Sequence, residues 1–102
     1  MGLDINIVSV HRVVATKPAD AYVGSQYDRT PKWRQVAYER DAWDLHALLS
    51  MLYRKQGGTQ EEFNNVNVRL YKRDLRLFCA PLAETILEHM KKGRVVYAES
   101  SF

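Results

Sequence analysis

Cysteine occurs once in the 102-residue chain, at Cys79, so no disulfide can close within it. The lone thiol falls in an apolar helical stretch, and a reducing, cytoplasmic setting is expected. The N-terminus lacks a basic segment followed by a sustained apolar run. No uninterrupted apolar stretch approaches the length of a membrane span, so the expectation is a protein neither secreted nor membrane-spanning, with no membrane among its partners. Excess charge of one sign is also missing. A net charge of +3, with 26% charged and 46% hydrophobic residues, describes an ordinary globular domain with a mildly basic surface. That is too little charge to establish nucleic-acid binding.

Catalytic and metal signatures are absent too. His11, His46, His89 and Cys79 show no CxxC, HxxxH or HExxH spacing, and there is no phosphate-binding glycine loop, GxSxG elbow or paired acidic motif. No metal or cofactor is expected. The length suits a single domain over residues 1–102 with one core.

Alternation organises the chain at both ends. Leu3, Ile5 and Ile7 alternate with Asp4 and Asn6, while Val8 and Val10 alternate in the opposite phase, which predicts a strand with a bulge near Ile7-Val8. Residues 15 to 32 carry Pro18, Gly24 and Pro31 among polar residues and read as a long loop bearing Tyr22 and Tyr27. Tyr38, Ala42, Leu45, Leu49 and Leu52 then recur at spacings of four, three, four and three. This predicts a first helix from about Pro31 to Gln56, with Thr30 as N-cap and one buried stripe.

Phe63 is expected to tuck against the core, and Val66, Val68 and Leu70 mark a half-buried strand. Leu75, Phe78, Leu82 and Ile86 form a second helical stripe interrupted by Pro81. Proline lacks an amide donor and crowds the preceding turn. The reading is therefore a short helix near Lys72 to Cys79 and a main helix from about Ala80 to Lys92, capped at Gly93. Arg94 to Ala98 is a final strand. Together these give a small α+β fold: one three- or four-stranded sheet with two main helices packed on one face. Strand order and oligomeric state stay open, although an exposed edge strand could pair two copies.

The opening Met1-Gly2-Leu3-Asp4 and the run Val36-Ala37-Tyr38-Glu39-Arg40-Asp41-Ala42-Trp43-Asp44-Leu45-His46 resemble a family of small phage and prophage proteins. Those proteins begin Met-Gly-Leu-Asp-Met and carry Tyr-Trp-Arg-Lys with Ile-His a few residues on. Arg40 and His46 match the family's Arg and His, and Asp4 matches its opening Asp. Glu39 and Asp41 depart from the Trp-Arg-Lys run, and Trp43 stands where a polar residue is expected. The resemblance implies a small accessory protein that works in the cytoplasm of a bacterial host cell and binds a host or phage protein, counter-defence and host take-over being among the roles it suggests.

Three readings of the surface follow. The first is a protein-binding face with Tyr22, Tyr27, Arg40, Trp43 and His46 as partner-contacting residues, because tyrosine, tryptophan and arginine dominate interface energetics. Its bland counterparts are Arg40 as a solvated cation paired with Asp44, His46 as a boundary residue, and Trp43 covered by the 15 to 32 loop. The second is a nucleic-acid surface built from Arg69, Tyr71, Lys72, Arg73 and Arg76, against the ordinary reading of a solvated charge run. The third is a small-ligand site or enzyme using Arg40 and His46.

Overall fold

The computed structural model describes residues 2–11 and 33–102, with Trp33 placed by its backbone alone. Tyr22, Tyr27 and the expected helix start at Thr30-Pro31 lie outside the described residues. In chain order the elements are β1 (Asp4–His11), β2 (Trp33–Arg40), α1 (Trp43–Lys55), β3 (Asn67–Leu70), a 3-10 helix (Lys72–Leu77), α2 (Ala80–Lys91) and β4 (Arg94–Ser101). The four strands form one antiparallel sheet in the order β2-β1-β4-β3, and the two main helices pack on one of its faces. This is the α+β architecture expected from the sequence.

Strand alternation puts Ile5 and Ile7 of β1, Val68 and Leu70 of β3, and Val96 and Ala98 of β4 on the helix-facing side. There they are buried against Leu49 and Leu52 of α1 and Ile86 of α2. Phe63 joins this core at 3% exposure, and Leu45 and Leu75 pack at its margin. A register shift falls at Ile7-Val8 as expected, but the bulge is on β2: β1 pairs with β4 without interruption, so Val8 and Val10 are buried on the opposite face from Ile5 and Ile7. Ile7 faces Ala37 while Val8 faces Gln35, which leaves Val36 as the extra residue on β2. Gly93, at φ +78°, closes α2 in the left-handed conformation, and Pro81 sits in the first turn of that helix, where its missing amide costs nothing.

The first helix is half the expected length. Residues 33–40 form β2 instead, and Tyr38, expected in the buried stripe, is 49% exposed with its hydroxyl donating to the Asp4 carboxylate. Tyr38 and Ala42 matched the helical spacing by accident of a corner between two elements. Asp41 makes that corner at φ +56°, a left-handed conformation that aspartate tolerates better than most residues. Its amide donates to the Leu3 carbonyl at 2.7 Å and its Oδ1 accepts from the Leu3 amide at 2.9 Å. The clasp ends β2 and lets α1 begin two residues on.

Two further side chains extend the sheet in the same way. Gln56, just past α1, donates to the Arg69 carbonyl at 2.6 Å and accepts from the Arg69 amide at 3.1 Å, pairing with the outer edge of β3. The Asn64 amide does likewise with the carbonyl and amide of Phe102, at 3.4 and 3.1 Å. Each amide stands in for a missing strand residue.

Candidate functional site

The Asp41 corner, the first turns of α1 and the junction of the 3-10 helix with α2 enclose an open groove of about 580 Å³. Its floor is apolar, from Leu45 and Leu48 on one side to Leu77, Phe78 and Leu82 on the other. Glu39, Asp41 and Asp44 stand along the α1 side, and Trp43 and Leu77 remain 51% and 43% exposed. Asp44 also has a local reason for its place, since a carboxylate in the first turn complements the helix dipole. Asp41 likewise serves the clasp. The result is still a concentration of three carboxylates on a chain whose net charge is positive.

Trp43 does more than line this groove. Its ring meets His46 and Phe102 edge-on at centroid distances of 5.6 and 5.7 Å, and His46 lies a further 5.2 Å from Phe102 and 5.9 Å from Phe63. Nδ1 of His46 hydrogen bonds the buried hydroxyl of Ser100 at 2.9 Å. Burial, partly offset by Glu62, holds the His46 pKa below its ordinary value. His46 is thus a pin between α1 and β4, with its ring inside an aromatic cluster and Nδ1 already engaged.

Arg40 lies at the end of β2, opposite Asp4, on the sheet face turned away from the helices. Ser100 and His46 belong to the helix-facing side, so the structure does not bring Arg40 and His46 together. The pairing of Arg40 with Asp44 across a helical turn is also absent, because Arg40 is not helical. Tyr22 and Tyr27 lie outside the described residues.

The basic cluster is assembled around one ring. Arg69 of β3 and Arg73 of the 3-10 helix place their guanidinium carbons 4.8 and 4.5 Å from the Tyr71 centroid. Lys72 and Arg76 are exposed beside them. Tyr71 itself is held by a capping exchange, its amide donating to Asp74 at 2.8 Å while the Asp74 amide donates back to its carbonyl. The arginines already use the π system that a stacked base would need, so base stacking on Tyr71 requires displacing a guanidinium.

Sequence reasoning missed Glu39, Asp44, Leu48 and Leu77 as groove residues, because their convergence depends on the β2 to α1 corner. Asp41 was the available signal: a turn-tolerant residue between a β-rich run and a helical one. Among the described residues, no group of three or more histidine, cysteine or acidic side chains is placed to hold a metal. No helix there is long and apolar enough to cross a membrane. Comparison with known protein families, curated proteins and solved structures gives no match.

Proposed function

We propose that this chain is a small phage or prophage accessory protein that acts by binding a host or phage protein, with no chemistry of its own, through the groove between α1 and α2. The carrying observation is an apolar floor rimmed by Glu39, Asp41 and Asp44, with Trp43 and Leu77 exposed at its mouth. A partner suited to it presents an amphipathic segment, apolar side chains down and lysine or arginine toward the carboxylates. The resemblance to phage proteins supports the origin. Its two segments meet in space, since Leu3 and Asp4 of the opening bond Asp41 and Tyr38, and residues 39, 41, 42, 43, 44 and 45 line the groove.

Relative to the surface expected from the sequence, this reading keeps Trp43, places Arg40 on another face and assigns His46 to support. The experiment is affinity capture from phage-infected bacteria with the parent protein, a groove variant (Asp44→Lys with Leu77→Glu) and Arg73→Ala. A host or phage protein captured by the parent and by Arg73→Ala but lost with the groove variant supports the reading. Equal capture by all three moves the interface elsewhere. Loss confined to Arg73→Ala, sensitive to nuclease, favours nucleic acid instead.

A further inference from the structure

Between Glu62 and Glu84 the chain carries Arg69, Lys72, Arg73 and Arg76 against a single carboxylate, Asp74. The fold engages that carboxylate internally. Asp74 is buried, at 7% exposure, and accepts the Tyr71 amide at 2.8 Å, so it serves the backbone and leaves the four cations without a counter-charge from their own segment. Among the described residues, the nearest carboxylate across the β3–β4 pair is Glu99, which faces Asn67, two positions from Arg69. Its pKa is raised by burial alone, so Arg69 does not neutralise it.

The helix dipole gives no reason for these charges. Lys72 and Arg73 occupy the first turn of the 3-10 helix, the end at which a helix favours acidic groups. Arg69 and Arg73 are moreover drawn to one ring, with guanidinium carbons 4.8 and 4.5 Å from the Tyr71 centroid, and this brings two like charges together. Attraction to the ring holds them there against that repulsion. An anion beside them relieves it.

The backbone beneath the cluster is fixed. Arg69 has its amide and carbonyl tied to Gln56, the Tyr71 amide is tied to Asp74, and Arg73 follows on the short helix. Lys72, Arg73 and Arg76 are exposed, whereas Arg69 and Tyr71 are half-buried. Arg73 is thus the accessible guanidinium over the ring. Its planar group, covered by Tyr71 on one side, can take a nucleic-acid base on the other while its N–H edge meets phosphate.

We propose that this cluster binds single-stranded nucleic acid, with backbone phosphates on Arg69, Lys72, Arg73 and Arg76 and a base stacked on the Arg73 guanidinium. Tyr71 stays beneath the arginine as its support and contacts no base. A duplex keeps its base faces inside its own stack and an acidic peptide has no such face, so a single strand is the ligand that uses both the charge and the plane. None of these residues lines the groove between α1 and α2, so the two surfaces act independently.

The test is fluorescence anisotropy of the full-length protein with a short labelled single strand, as DNA and as RNA, with the matching duplex and polyglutamate as competitors. Binding of either strand, with log affinity falling against log salt at a slope of about −2 to −3, is expected for three or four phosphate contacts. Arg69→Gln with Arg73→Gln should weaken it about tenfold or more, whereas Lys91→Gln, which removes an exposed charge elsewhere, leaves it unchanged. Arg73→Lys separates plane from charge: it should lower affinity about fivefold or more and keep the salt slope. Far-ultraviolet circular dichroism matching the parent confirms that each variant is folded. Absence of binding at low salt would overturn the proposal, as would equal or better competition by duplex or polyglutamate, parental affinity in Arg73→Lys, or binding that survives the double variant.

Discussion

Single polar side chains decide much of this fold. Asp41 joins its left-handed backbone to a two-way clasp on Leu3, so an alanine there loses a hydrogen bond and keeps the backbone strain. Asp41→Ala should cost about 1 to 3 kcal/mol in chemical unfolding, whereas Asp41→Asn, which retains the acceptor and the tolerance, stays close to the parent. Equal stability of the alanine variant would show the clasp to be incidental. Two histidines carry a second consequence. His46 and His89 are each bonded to a buried serine and have pKa values lowered from 6.5, by burial foremost. Below pH 6.5 the unfolded chain therefore binds protons that the folded chain resists, and stability falls as the pH drops toward the lower folded pKa values. Melting temperature should decline between neutral pH and about pH 5, and the decline should flatten when both histidines are replaced by glutamine. An unchanged slope in that double variant would place the acid sensitivity elsewhere.

At the scale of elements, periodicity was readable wherever one element kept one face to the core. The stripes through Leu49 and Leu52, and through Leu82 and Ile86, lie where their spacing put them, and Pro81 and Gly93 bound α2. Leu49, fully buried between α1 and the sheet, should cost about 2 to 5 kcal/mol on truncation to alanine, seen as a lower denaturation midpoint. A midpoint equal to the parent would mean that α1 turns another face to the core. The error lay at β2, where Tyr38 and Ala42 continue the helical spacing of α1 although one is in a strand and the other is its N-terminal cap. Periodicity cannot register a corner made by one residue's φ angle. The side-chain clasps of Gln56 and Asn64 were also hidden, because each depends on a partner brought close only by the folded sheet. Gln56 has a role beyond stability. It occupies the free edge of β3, which would otherwise present open backbone groups to another strand.

For the whole molecule, charge is sorted by position more than by amount. The net charge of +3 conceals an acidic groove at the α1 end of the strands and, at the other end, a concavity to which the described residues contribute Arg34, Lys92 and Arg94, with the buried core between them. Composition averages these away, so neither surface was legible in the sequence, although Trp43 and the segment around it were. The β2 to α1 corner builds the groove, and the central claim is that a basic amphipathic partner segment lies there. The most direct test is amide hydrogen exchange of the protein with and without its captured partner. Protection concentrated in residues 42 to 48 and 77 to 82, weakened by Asp44→Lys, is the result this account predicts. Protection confined to residues 69 to 76, or to the outer edge of β2, with the groove exchanging as in the free protein, would contradict it.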